Sequence, residues 1–170
     1  MAGRTDAAYR TALVDLLWDR KSESVRLLCI AEIANLRQIA ATDLIKKLER
    51  PEQITYAVVL CLGRLGTNAS RAVALVRALV SDPKTDQPLR ITGQISLANM
   101  GIAPLENERS VLEVITQRNT GAKRAVYDLA MVRPTWPLSS GMVTELAIRL
   151  STDPVSRLVS GLRIILPIAS

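Results

Sequence analysis

The sequence predicts an all-α protein built as an α-solenoid of about five antiparallel helix pairs. A unit of roughly 33 residues recurs, and its second helix aligns on Arg26, Thr55, Arg90, Arg124 and Arg157, at intervals of 29, 35, 34 and 33 residues. Apolar or small residues hold the columns around that reference. Five positions later stand Ala31, Leu60, Ile95, Leu129 and Leu162, and seven later stand Ile33, Leu62, Leu97, Met131 and Ile164. One position later come Leu27, Tyr56, Ile91, Ala125 and Leu158. Composition agrees with close-packed helices, because the apolar content comes mostly from Leu, Ala, Ile and Val, aromatics are 3% and Phe is absent. A chain of 170 residues is long enough to bury a core without a covalent staple.

Each element follows from local signals. Residues 5–18 place Ala8, Leu13, Leu16 and Leu17 at helical spacing, with Arg4, Asp6, Arg10 and Asp15 opposite, the polar back of a terminal cap. A polar turn over 19–22 leads into the second helix at Glu23. Thr42 is expected to cap a short helix that runs to Glu49, and Pro51 to open the next, which stops at Gly66. Asn68 is expected to cap the first helix of the third pair, Asp82 and Pro83 break it, Pro88 sits in the first turn of its partner, and Gly101 ends that partner. The fourth pair runs over 106–118, turns at 119–121 and resumes to Arg133. The fifth begins after Pro137 with Ser139 or Ser140 as cap and breaks at Asp153 and Pro154. The expected domain covers residues 5–168, with a short extension over 1–4.

The stretch Ala12-Leu13-Val14-Asp15-Leu16-Leu17-Trp18-Asp19, a short turn, and then Ser24-Val25-Arg26-Leu27-Leu28 resembles the HEAT and armadillo-like repeats. The resemblance is closest to the short bacterial, phycobilisome-lyase type of HEAT repeat and implies a right-handed superhelix. It also implies a ladder in which a turn Asp meets an early Arg of the second helix. Asp19 with Arg26, Asp82 or Asp86 with Arg90, and Asp153 with Arg157 match that pattern. The second unit lacks the Arg, and the fourth lacks the turn Asp. The family includes scaffolds, adaptors, lyase subunits and nucleic-acid binders, so the resemblance implies architecture and not activity.

Chemistry is constrained by what is missing from the composition. Without His, this chain has no histidine general base, no His-ligated zinc and no Ser-His or Cys-His pair. Gly63-Arg64-Leu65-Gly66-Thr67 has neither Walker spacing nor its Lys and reads as a helix stop. Glu106 and Glu108 sit where negative charge favours a helix start, and the sequon Asn68-Ala69-Ser70 reads as a cap. Neither an enzyme nor a cofactor is expected. Cys29 and Cys61 fall on apolar helix faces and read as buried thiols of a cytoplasmic protein. The residues before Arg10 lack the apolar stretch of a secretory signal, and no apolar run is long enough to span a membrane.

Partner binding is the expected role, with three candidate regions. The net charge of +6 is spread along the chain, 13 basic against 9 acidic residues up to position 85 and 9 against 7 beyond it. A non-catalytic protein scaffold or adaptor is the principal expectation, and nucleic-acid binding by a basic concave face is the alternative. In the first region Arg26, Arg90, Gln94, Arg124, Asp128 and Arg157 share one stripe, which either grips an acidic partner or turns inward to the ladder. In the second, Trp136 stands between Pro134 and Pro137, as an exposed anchor or as a cover for the core. The third is the final helix, where Leu162, Ile164, Ile165, Leu166 and Ile168 leave little polar face, suiting docking on a second copy or a tail that shields itself.

Overall fold

The computed structural model describes residues 6–18, 22–48, 54–117 and 119–152. Among the described residues all regular structure is helical. Helix α1 (Ala7–Leu16) starts where the Asp6 carboxylate accepts the Ala8 amide at 3.0 Å, satisfying one of the orphan donors of a helix start. Ser22 does the same for α2 (Glu23–Leu36), accepting from the Val25 amide at 3.3 Å. The chain then reverses at Arg37, whose φ is 53°, straight into α3 (Gln38–Lys47). Thr42 is therefore not the cap expected for this helix. It lies inside it, with Oγ1 donating to the Gln38 carbonyl at 3.0 Å.

Helix α4 (Tyr56–Leu65) is capped by Thr55, whose hydroxyl accepts from the Val58 amide at 3.4 Å. The one column position without Arg is thus a cap. Gly66, at φ 57°, ends α4 in a conformation that suits a residue without a Cβ. A 3-10 segment (Gly66–Ala72) precedes α5 (Val73–Ser81). Here too the sequence expectation fails, because Asn68 uses its amide to donate to the Leu65 carbonyl at 3.2 Å and α5 begins without a side-chain cap. Asp86 caps α6 (Gln87–Asn99) at 2.9 Å to the Leu89 amide, with Pro88 in the first turn as expected. Helix α7 (Pro104–Thr116) also opens on proline. Asn119 caps α8 (Thr120–Val132) at 3.0 Å to the Ala122 amide, and Ser139 caps α9 (Ser140–Thr152) at 3.2 Å to the Met142 amide.

These helices pack in an ordered way. α2 lies on α4, α4 on α6 and α6 on α8, while α1 packs on α3, α3 on the 3-10 segment, α5 and α7 on α6, and α9 on α7. α4 also touches α8 directly, across α6. The core is centred on α4 and α6, where Val58, Val59, Leu60, Leu62 and Ile95 have no exposed surface. Gly63 sets how closely these two helices approach, since a Cβ there would stand 2.4 Å from the Ser96 hydroxyl oxygen. The apolar columns are buried at Ile33, Leu62 and Leu97 and at Leu60, Ile95 and Leu129, but Ala31 is exposed. Cys29 and Cys61 are free thiols and buried, as expected, and burial pushes both thiols up. No described helix is long and apolar enough to cross a membrane. Asp19, Glu49, Pro51, Arg157 and the apolar final segment with Leu162 and Ile165 lie outside the described residues.

Candidate functional site

Three helices meet on one buried carboxylate. Thr92, Ser96 and Asn99 of α6 are four and three residues apart, so they share a face, and all three are buried. Ser96 donates to the Val59 carbonyl at 2.9 Å, and the Asn99 amide donates to the Gly63 carbonyl at 2.7 Å, both on α4. Thr92 Oγ1 stands 2.6 Å from Asp128 Oδ2 and 2.9 Å from the Pro88 carbonyl. The Tyr56 hydroxyl donates to Asp128 Oδ1. Asp128 therefore ties α8 to both α4 and α6. Burial pushes its carboxyl up to about 6, against the downward pull of the Thr92 and Tyr56 hydrogen bonds and the Arg124 charge. Burial, and next the charge of Asp128, also hold the Tyr56 phenol above its ordinary range.

Arg124 sits one turn before Asp128 on α8. Its Nε makes a charge contact of 3.4 Å with Oδ1 and no directed hydrogen bond, while the guanidinium lies flat over the Tyr56 ring at 3.6 Å from the centroid. That side chain separates two cavities. One, of about 260 Å³, is lined by Arg26, Leu27 and Ile30 of α2, Tyr56, Ala57 and Leu60 of α4, and Arg124, with Glu23 at its edge. The other, of about 590 Å³, opens among the starts of α4, α6 and α8, with Pro88, Leu89 and the capping Asp86 on its wall. A third, of about 50 Å³, continues from Ile30 past Ala31, Ala130 and Met131 to Arg64 and Arg133. Shared residues join the three, with Tyr56 and Arg124 common to the first pair and Ile30 to the last. Tyr56, Ala57, Leu60 and Arg64 follow helical spacing, so α4 forms the floor between α2 and α8. The three cavities follow one another along α4 from Tyr56 to Arg64, and this row is called the groove.

Its charge is uneven. Around Tyr56 the arginines are accompanied by Glu23 and Asp86. At the far end Arg64 and Arg133 line the small cavity, and no acid stands with them among its described lining residues. Arg64 is half-buried, donates from Nη1 to the Met131 carbonyl at 3.2 Å, and is lowered to about 10 by burial and then by the positive charge of Arg133.

The sequence-predicted site residues fall in different places. Arg124 lines the groove, but its acid is Asp128 in its own helix. Arg90 does not pair with Asp82 or Asp86 as the ladder requires. It donates from Nη2 to the Thr85 carbonyl at 2.8 Å, while Asp86 caps α6 and Asp82 accepts from the Lys84 amide. Arg90 Nε and Gln94 Oε1 are buried atoms without hydrogen-bond partners. Trp136 is half-buried against the core, not an exposed ring on its loop, and its Nε1 donates to Glu108 at 2.8 Å. Glu108, which also accepts from the Ser139 amide at 2.9 Å, pins that loop. Arg64, Arg133, Tyr56 and Thr92 were not among the expected site residues. The available signal for Arg64 and Arg133 was modest: each is a basic residue just before or at the end of a helix. Protein-family models, curated proteins and solved structures give no match to this chain.

Proposed function

We propose that the chain is a right-handed, HEAT-like α-solenoid that acts as a non-catalytic protein-interaction scaffold or adaptor in the cytoplasm. The order of packing supports the architecture, with second helices α2, α4, α6 and α8 succeeding one another and first helices set against them. The direct α4 to α8 contact departs from nearest-neighbour stacking. The observation that carries the functional reading is the groove over α4, a row of cavities lined by α2, α4, α6 and α8. Its most perturbed carboxyl, Asp128, has both oxygens engaged by Tyr56 and Thr92 and no exposed surface, which suits holding helices together and not meeting a substrate. A nucleic-acid role is the second reading, favoured by the net charge of +6 and by Arg26, Arg64, Arg124 and Arg133 in the groove.

A photo-crosslinking residue at Leu27, in the groove, and another at the exposed Arg109 of α7 test this in cells of the source organism. The scaffold reading expects one protein to be joined at position 27 and not at 109. Crosslinks to nucleic acid at position 27, or the same mixture at both positions, defeat it.

A further inference from the structure

Building on the scaffold reading, we propose that the narrow end of the groove binds an acidic side chain of a partner peptide between Arg64 and Arg133. The grounds are charge and the placement of the two guanidinium groups. Two guanidinium groups line one small cavity whose other walls are Ile30, Ala31, Ala130 and Met131, and no acid among the described residues lines it. Like charges held against apolar walls are unfavourable for each other, and burial together with Arg133 already weakens the hold of Arg64 on its proton. A carboxylate placed between them reverses that balance, and guanidinium groups present several donors in the plane such a group needs. Met131 takes one donor of Arg64, which orients the guanidinium and leaves the others available.

The cavity, of about 50 Å³, takes a single small group. A peptide fits better than a single-stranded nucleic acid, which would use an open aromatic face for stacking. The groove's aromatic ring, Tyr56, is already covered by Arg124 at 3.6 Å.

The test uses the full chain and a displayed library of random ten-residue peptides, followed by fluorescence anisotropy on selected sequences and on a single-stranded oligonucleotide. The expected result is enrichment of an acid at one position. Changing that acid to its amide should weaken binding about tenfold or more, as should Arg133→Glu at an exposed position, its folding checked by thermal melting. Arg133→Glu should regain affinity for the same peptide carrying Lys in place of the acid. Selected peptides without the acid, or binding indifferent to Arg133→Glu and Arg64→Gln, overturn the anchor while leaving the scaffold reading in place. No enriched peptide together with tight oligonucleotide binding overturns both.

Discussion

Replacing Asp128 with Asn should change how stability depends on pH, in a direction fixed by the burial of that carboxyl. In the folded chain Asp128 has no exposed surface and its proton affinity is raised from the ordinary 3.8 to about 6. The folded state therefore holds the proton where the unfolded state has already released it. Stability contributed by this residue is present below the unfolded value and falls as pH rises from about 4 to about 6, the reverse of a salt-bridged carboxylate with a lowered value. The difference between 3.8 and about 6 corresponds to about 3 kcal/mol across the full window. Asn keeps the shape and one acceptor for Tyr56, and Thr92 can turn its hydroxyl to the Pro88 carbonyl, 2.9 Å away, while accepting from the new amide. Urea unfolding of both proteins at pH 4 and pH 7.5 gives the comparison. The Asn variant should gain about 2 to 3 kcal/mol on wild type between those two pH values, whatever the offset at pH 4. A difference that stays flat with pH, or that moves toward wild type as pH rises, would show that Asp128 titrates as an ordinary or ion-paired carboxyl and would refute the argument.

Two substitutions test the packing and the loop anchor. Gly63→Ala places a Cβ 2.4 Å from Ser96 Oγ and should cost about 1 to 3 kcal/mol in urea unfolding. Adding Ser96→Ala should recover only part of that, because the Ser96 Cβ and Cα stand at 2.9 and 3.0 Å. Glu108→Ala leaves the Trp136 Nε1 and the Ser139 amide unanswered and should cost about 1 to 3 kcal/mol, with a red-shifted tryptophan emission as the ring meets water. Unchanged emission would mean that the ring is held by packing alone.

Helix starts were legible in the sequence where a capping side chain, a proline or a glycine acts within one turn. Pro88, Ser139 and Gly66 stand where local chemistry puts them, whereas Asp86, read as a ladder acid, and Asn119, read as a turn residue, are caps. Thr42 and Asn68 misled because their side chains have a second local option, bonding backward to a carbonyl, and tertiary packing chose it. The Arg column located Arg90 and Arg124 near helix starts but not their partners, which are the Thr85 carbonyl for Arg90 and Asp128 of the same helix for Arg124. Asp128 was placed in the right stripe, yet its burial depends on α4 returning to α8, a long-range contact that helical periodicity does not encode. The same holds for the groove. Tyr56 is 72 residues from its acceptor on Asp128, and Arg64 is 67 from the Met131 carbonyl that orients it.

That long-range contact bears on how the groove keeps its shape. In a chain of units touching only their neighbours, an end can open while the middle persists. Here Asp128 bonds to α4 and α6 together, so α8 cannot separate from either without leaving a buried carboxyl, a buried threonine and a largely buried phenol without partners. Loss of such buried bonds costs far more than the fraying of an exposed helix end. The floor of the groove is α4, the helix with the most completely buried residues, and one wall is fixed to it through that same carboxylate. The groove is therefore expected to persist until the α4, α6 and α8 core opens as a unit. A binding surface held this way spends little ordering entropy when it meets a partner, which is how a shallow basic groove with one small arginine-lined end can still discriminate between peptides.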